Sequence, residues 1–494
     1  MVPVRVLLVS TYELGHQPLH LASPAGALLR AGHEVRCADL SVEALAPGDV
    51  AWADAVACSV PMHTAMRLAL PVCDEVRARR PDVALCLYGL YAGLDGAEGA
   101  PRHADLTIAG EYEARLVAWV DDLGARAAAG RWAPGEIPGD STPRHAVELG
   151  RGRSGLPARR LLPGLEHYAQ LALGEERRRA GYVEATRGCA HRCRHCPVPV
   201  VYDGRTRVTD EDVVVADVAQ LVAAGARHVT FGDPDFLNRP RHAERVVAAV
   251  HGAFPELTFD VTAKVEHVLA HDALWSGFAA AGCLFVVSAF ESASDAILGR
   301  LDKGHTVADE IEAVAVLRGA GIEPRPSLLP FTPWTTPADV VALLDLVARC
   351  DLVGNVDPVQ YAIRLLVPPG SLLVRSGSLD GALGPYDPEH LGWSWRSAHP
   401  GLDRLQQALT ELAARAGAEG WPARRTYEAV RASAAVALGP LVPEAAPAAE
   451  ARLAAPLADD DRPRLTEAWF CCAEPSDAQL HAVRASAPVG VGGE

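Results

Sequence analysis

The sequence predicts an α/β protein in three parts: a doubly wound N-terminal domain, a partial (βα)6 barrel, and a mostly helical or irregular C-terminal region. Two observations lead there. Short apolar runs alternate with helical patterns over residues 1–120 and again over about 180–370, which implies parallel strands joined by helices. The length of 494 residues allows two to four domains at about 150 residues each. The expected units are 1–124, a linker at 125–175, the barrel at 176–374, and 375–494.

In the first unit, strands are expected at 6–10, 34–38, 55–60, 84–88 and 106–110, with a helix at 21–31 that stops at Gly32. Ligands of such sheets sit outside the carboxyl ends of the strands. Those ends carry Tyr12, Glu13, Leu14, Gly15 and His16, then Gly89, Leu90 and Tyr91, then Gly110 and Glu111. Gly89, Gly93 and Gly96 do not make a dinucleotide fingerprint. Residues 125–160 are rich in Arg, Gly and Pro without periodicity and read as the linker. Barrel strands are expected at 181–186, 228–232, 258–261, 284–289, 323–329 and 358–363, with helices at 212–224, 241–254 and 308–320. Beyond 375 one helix stands out, at 402–416.

Composition narrows the function. Hydrophobic residues make up 49% and charged residues 22%, ordinary for a chain with real cores. Lys and Arg total 46 against 62 Asp and Glu, a net charge of −16, so no nucleic-acid partner is expected. No run approaches the roughly 18 apolar residues of a membrane span, and the first nine residues lack the basic leader of a signal peptide. A cytoplasmic location is expected, where thiols stay reduced. Cys37, Cys58, Cys73 and Cys86 lie among apolar neighbours and read as small core residues. Hydrolase and phosphotransferase readings find no motif to anchor them.

The strongest signal is Thr186-Arg187-Gly188-Cys189-Ala190-His191-Arg192-Cys193-Arg194-His195-Cys196-Pro197. Its C-x3-C-x2-C spacing follows the first expected barrel strand directly. Three thiolates on one loop can bind three irons of a cubane cluster. The fourth iron then stays open to a molecule bearing an amine and a carboxylate. Zinc with His191 or His195 as fourth ligand is the alternative, but structural zinc usually adds a distant second cysteine pair. Three packing cysteines fit poorly in so polar a loop.

This motif on a partial barrel resembles the radical SAM superfamily. The resemblance implies a [4Fe-4S] cluster on Cys189, Cys193 and Cys196, S-adenosylmethionine (SAM) on the open iron, reductive cleavage of SAM, and a flavodoxin- or ferredoxin-type electron donor. Gly232, Asp233, Pro234 and Asp235 are similar to the family's second-strand contact with the SAM amino group. Glu291 and Ser292, followed by Lys303-Gly304-His305-Thr306, are similar to its G-x-E-S…K-G-H-T stretch, although Ala289 and Phe290 depart from the usual small residue and glycine. Glu291 and Ser292 are therefore expected at SAM, while Ser292 or Ser294 can also cap a helix. His195 and Lys264 join the expected SAM set, with Glu266 beside Lys264. Residues 1–120 resemble the cobalamin-binding domain of one branch, without its D-x-H-x-x-G motif. The strand-end residues above would form the cobalamin bed, and His16 or His20 could approach the cobalt, although solvent-exposed loop histidines are the plainer reading of both. A domain that kept the fold and lost the cofactor is the alternative.

Near the C-terminus stands Trp469-Phe470-Cys471-Cys472-Ala473-Glu474-Pro475. Adjacent cysteines make a strained disulfide, but as thiols they suit a thiophilic metal or metalloid, redox chemistry or hydrogen-atom donation. Packing is the plain alternative. This tail, with Thr11–Pro18, resembles the radical SAM family named for its CUAEP/CCAEP ending. Related radical SAM enzymes move the aminocarboxypropyl group of SAM to trivalent arsenic. Tyr361 and Arg364, at the last expected strand, are further substrate candidates. The expected function is a transferase that moves a SAM-derived carbon group, methyl through cobalamin or aminocarboxypropyl, to a small molecule or to a metalloid held by Cys471 and Cys472. The alternatives are a cobalamin-independent oxidoreductase with a redox dithiol tail and a non-catalytic metal-sensing scaffold.

Overall fold

The computed structural model describes residues 2–100, 102–129, 145–150, 155–379, 381–439 and 458–467. The expectation placed on Cys471 and Cys472 lies outside the described residues.

The first unit is a sheet of β1 (Arg5–Ser10), β2 (Glu34–Asp39), β3 (Ala55–Ser59), β4 (Ala84–Tyr88), β5 (Leu106–Gly110) and β6 (His145–Glu148), in the order β2-β1-β3-β4-β5-β6. Every pairing in it is parallel. Successive side chains of a strand face opposite ways, so Val6 and Leu8 pack under helices Leu19–Arg30 and Tyr112–Ala128. Leu7 and Val9 pack under helix His63–Arg79 on the other face. Burial on both faces is why these strands read as unbroken apolar runs. The strand order reverses between β1 and β3, and a crevice at their carboxyl ends is the ligand position of such sheets.

The second unit opens with a hairpin of β7 (Gln170–Leu173) and β8 (Glu176–Val183), then a small pair, β9 (Thr186–Gly188) and β10 (Thr206–Val208). β11 (His228–Phe231), β12 (Thr258–Thr262), β13 (Cys283–Glu291) and β14 (Glu323–Leu328) follow in parallel, each reached through helices. Helices Glu211–Ala223, Pro240–Ala253 and Val307–Gly319 lie within two residues of the expected spans. The C-terminal region adds a hairpin, β15 (Leu383–Asp387) and β16 (Gly392–Trp395), and helices Pro400–Ala418 and Ala423–Leu438. It ends in β17 (Arg464–Leu465), which pairs with β7 and closes that edge. Among the described residues no helix is long and apolar enough to cross a membrane.

One expected strand is absent. Residues 358–363 form a 3-10 turn, Pro358–Ala362, so five strands rather than six run parallel in the barrel. Pro324 and Pro326 explain the stop. Two residues apart in β14, they remove two of the three N–H donors from one edge of that strand, and the third, of Leu328, donates to the Gln360 side chain at 2.9 Å, while the other edge pairs with β13 over six positions. Only a single bridge, Phe331 to Arg364, continues the curl. Two strands also fall inside the stretch expected to be linker: β6 extends the first sheet and β7 the second.

Arg159 fastens this stretch to both units. It is buried, forms two hydrogen bonds to Asp217 at 3.0 and 2.8 Å, and donates to the carbonyl of Tyr182 at 2.6 Å and of Gln17 at 3.3 Å. Removing one member of a buried pair strands the other charge, at a cost of about 3–5 kcal/mol. Arg159→Met is therefore expected to lower unfolding stability by that amount in denaturant melts. A loss below about 1 kcal/mol would mean that the pair contributes no more than a surface bridge.

Candidate functional site

A cleft of about 1880 Å³, mouth included, opens between the carboxyl ends of the two sheets. Period-2 alternation decides which barrel residues reach it. Tyr182 and Glu184, Thr230 and Gly232, Asp260, Thr262 and Lys264, Phe285, Val287, Ala289 and Glu291, and Arg325 and Ser327 all face inward. The first sheet contributes Glu13, Leu14, His16, Pro61, Met62, Gly89, Leu90 and Gly110. Pro61 and Met62 follow β3, and Glu13 to His16 follow β1, so the cleft stands at the switch point.

Cys189, Cys193 and Cys196 are free thiols on the cleft wall. Their loop is fixed to the barrel by two backbone hydrogen bonds: Ala190 N–H donates to Asn238 Oδ1 at 3.0 Å and Arg194 N–H to the Leu301 carbonyl at 2.8 Å. The two histidines of the loop face carboxylates. His195 Nε2 is 3.1 Å from Glu291 Oε1, and His191 Nε2 is 3.4 Å from Asp235 Oδ2.

Glu291 ends β13 at φ +66°, where the register shifts by a bulge. A non-glycine residue at positive φ is uncommon, and such strain collects at functional sites. Lys303 Nζ donates to the same Oε1 at 3.0 Å. Burial opposes the charge of Glu291, but Lys303 and His195 hold its pKa down to about 2. Lys303 was not among the expected site residues, although the K-G-H-T stretch contained it. Thr306, in the same stretch, caps helix Val307–Gly319 reciprocally with Asp309 and so fixes where Lys303 stands.

Asp233 accepts from Ala185 N–H at 3.0 Å and from the Thr186 hydroxyl at 2.6 Å. Burial pushes its pKa up to about 7. It thereby ties the β11 exit to the start of the cysteine loop. Gly232 is needed because a Cβ there would collide with the Tyr182 ring. Lys264 donates to Glu266 at 2.9 Å.

Of the expected SAM residues, His195, Gly232, Asp233, Pro234, Lys264 and Glu291 line the cleft; Asp235 and Ser292 do not. Asp235 turns toward His191 and His267. Ser292 is buried, and Ser294 takes the N-cap of helix Asp295–Leu301 without a side-chain hydrogen bond. Of the expected cobalamin bed, Tyr12, Gly15, Tyr91 and Glu111 stand behind the wall. The Tyr12 hydroxyl donates to Glu467 at 2.6 Å, and Glu111 accepts from Tyr202 at 2.9 Å. Tyr361 and Arg364 sit away from the cleft. Tyr361 packs by Tyr427, and the Arg364 guanidinium lies 3.6 Å over the Trp395 ring and bonds Asp403 at 3.0 Å.

The two units meet through buried charge that the sequence does not reveal, because the pairs that cross between the units are far apart in the chain. Arg187 donates to Glu184 and to Glu113, each at 2.7 Å. His20 lies 2.7 Å from Glu13 and 3.3 Å from Glu184. Burial opposes charge on His20, yet the two carboxylates push its pKa up to about 10. His16 is the opposite case: burial pushes it down to about 4, and its Nδ1 has no partner.

Residues 183–347 match the family model of the radical SAM superfamily. Over 178 residues, 33% of this chain, the sequence is 28% identical to the tRNA-2-methylthio-N(6)-dimethylallyladenosine synthase of Pelodictyon phaeoclathratiforme, covering 36% of that protein. The chain spans about a third of the length of the curated relatives it matches. Two solved structures are similar in fold. One is the cobalamin-dependent S-adenosylmethionine radical enzyme OxsB with aqua-cobalamin and SAM bound, at TM-score 0.65 and 13% identity, over 88% of this chain and 72% of that one. The other is the radical S-adenosylmethionine methyltransferase TsrM from Kitasatospora setae with tryptophan and a SAM analogue bound. It aligns at TM-score 0.56 and 19% identity, over 82% of this chain and 88% of that one.

The His20 pair has a pH signature. A folded pKa near 10 against about 6.5 unfolded gives stability that is complete below pH 6.5 and is lost as pH rises toward 10. The melting temperature is expected to fall across that window, and His20→Gln is expected to flatten the fall. Parallel profiles for the two proteins would refute the assignment.

Proposed function

Residues 183–347 form a radical SAM domain, and from that premise we propose that the protein is an enzyme that cleaves SAM in the interdomain cleft and transfers its methyl group by way of cobalamin. The observation that carries the reading is convergence. Three free thiols on one loop, the exits of the barrel strands and the exits of β1 and β3 all face the same cleft. The residues present suit the groups implied. Cys189, Cys193 and Cys196 are soft donors for a [4Fe-4S] cluster. The Glu291 carboxylate and the backbone at Gly232 to Pro234 offer acceptors to the SAM ammonium, and Lys264 a cation to its carboxylate. On the opposite wall Leu14, Met62, Leu90 and the unpartnered His16 Nδ1 suit cobalamin.

A bound cluster supplies an electron and an open iron, and cobalamin supplies a methyl carrier. The chain's own residues bind and orient. Lys303 and Glu291 keep each other charged, so the acceptor for an ammonium stays ionised over the physiological range. Asp233 and Asn238 hold the cysteine loop against the β11 exit. His20 carries a proton and is already paired with two carboxylates, whereas His16 is neutral; of the two, only His16 suits a place facing cobalt.

A second reading concerns the tail. Glu467 stands on the cleft wall, and the four residues from it to Cys471 span at most about 14 Å of chain. On this reading Cys471 and Cys472, as soft donors, hold a metalloid such as trivalent arsenic, with the aminocarboxypropyl group of SAM as the carbon moved. The acceptor is otherwise a small molecule, and a low-potential electron donor is required.

Anaerobic reconstitution with iron and sulfide, then dithionite, cobalamin and SAM with mass spectrometry of products, tests both. We expect a brown cluster-bearing protein, corrin absorbance retained on gel filtration, and 5′-deoxyadenosine formation, with cluster and product lost in Cys193→Ala. Methylthioadenosine without deoxyadenosine would favour the second reading and make arsenite the next acceptor. Neither product from a cluster-loaded protein would overturn the enzyme reading.

A further inference from the structure

Three residues of the barrel rim form a constellation that the proposed reaction leaves unused. His191 lies between Cys189 and Cys193 on the cysteine loop, Asp235 follows β11, and His267 sits on helix Val265–Ala270 beyond β12. They do not line the cleft. One atom from each lies within 4.8 Å of the other two. His267 Nδ1 is 2.7 Å and His191 Nε2 is 3.4 Å from the same oxygen, Asp235 Oδ2. The rings of His191 and His267 meet edge to face with centroids 4.7 Å apart.

The arrangement converges three metal-ligand atoms on one point. Asp235 is fully buried, yet its Oδ2, His191 Nε2 and His267 Nδ1 are all buried without a well-aligned hydrogen bond. The other carboxylate oxygen, Oδ1, accepts from Leu237 N–H at 3.2 Å, which orients Oδ2 toward the two imidazoles. Nitrogen and oxygen ligands about 2.0–2.1 Å from a zinc-sized ion stand roughly 3.3 Å apart; the His191–Asp235 separation matches this, and His267 would draw back from its 2.7 Å contact with Asp235 to admit the ion. A histidine ligand usually turns its other nitrogen to a carboxylate. His191 does so: its Nδ1 is 3.6 Å from Glu266 Oε1.

The geometry points to a mononuclear site for a divalent first-row transition metal, held by His191 Nε2, Asp235 Oδ2 and His267 Nδ1, with open positions for water. Two imidazoles and one carboxylate suit zinc or iron(II) over calcium or magnesium. Because His191 belongs to the cysteine loop, the ion clamps that loop to the barrel independently of any cluster on the thiols.

Cobalt(II) titration of the full chain with Cys189, Cys193 and Cys196 all changed to Ser isolates the site from the thiols. We expect one equivalent whose visible d–d bands show no sulfur charge transfer and persist when Cys471 and Cys472 are also changed to Ser. His267→Ala in that background weakens binding by on the order of 100-fold or more, and Glu266→Gln by about tenfold. No cobalt binding by a triple variant whose circular dichroism and melting match the parent would overturn the site, as would binding indifferent to His267→Ala. If the triple variant does not fold, the cluster-loaded parent incubated with zinc and desalted gives the answer. One zinc per chain, lost in His267→Gln with iron content unchanged, supports the site; no zinc retained by the parent overturns it. Failure of SAM cleavage leaves each of these readouts intact.

Discussion

Arg187 is the residue on which the arrangement of the cleft depends. It is the second residue of the cysteine motif's flanking strand, and it is buried between Glu184 of the barrel and Glu113 of the first sheet's last helix. Burying a guanidinium is costly unless carboxylates surround it, and here they come from both units. His20 repeats the pattern with Glu13 and Glu184. The two sheets therefore present their carboxyl ends to one another, and a loop set by the barrel opens onto a bed set by the other sheet. Separating the units would break the Arg187–Glu113 and His20–Glu184 pairs and open the network to water.

Backbone at the wall is shaped to match. Leu14 and Gly15 both take positive φ, at 51° and 69°, and His16 N–H bonds the Glu13 carbonyl at 2.9 Å. This tight primed turn brings Leu14 and His16 to the cleft and leaves Gly15 behind it, against Glu467. Glu291 reaches its place through a bulge in β13. Both departures from ordinary backbone sit where the wall meets the cleft, as strain at a site that must hold a fixed shape does.

Much of this was legible in the sequence where the signal is local. The cysteine spacing, the five barrel strands and the parallel order of the first sheet rest on apolar runs, punctuating glycines and residues within one loop. The sixth strand does not form for a reason present in the sequence: the prolines at 324 and 326 fit β14 but disable the edge on which a sixth strand would pair. The polar face of the cleft also left a trace: Thr258, Asp260, Thr262 and Lys264 alternate with Phe259, Val261 and Ala263, and three of the four polar positions face inward. The His20–Glu184 and Arg187–Glu113 pairs left none, since contacts across 70 residues or more have no periodicity to betray them. Tyr361 and Arg364 were assigned from a strand that does not form; once the segment turns, their side chains pack against the C-terminal helices and hairpin.

On the proposed reading, one cleft serves both a cluster on the three thiols and a corrin on the first sheet. Electron paramagnetic resonance of protein loaded with both, poised so that the cluster is reduced and the cobalt is divalent, tests it most directly. Each signal is expected to show dipolar broadening by the other, absent when either partner is omitted. Two unperturbed signals, simple sums of the singly loaded spectra, would contradict it.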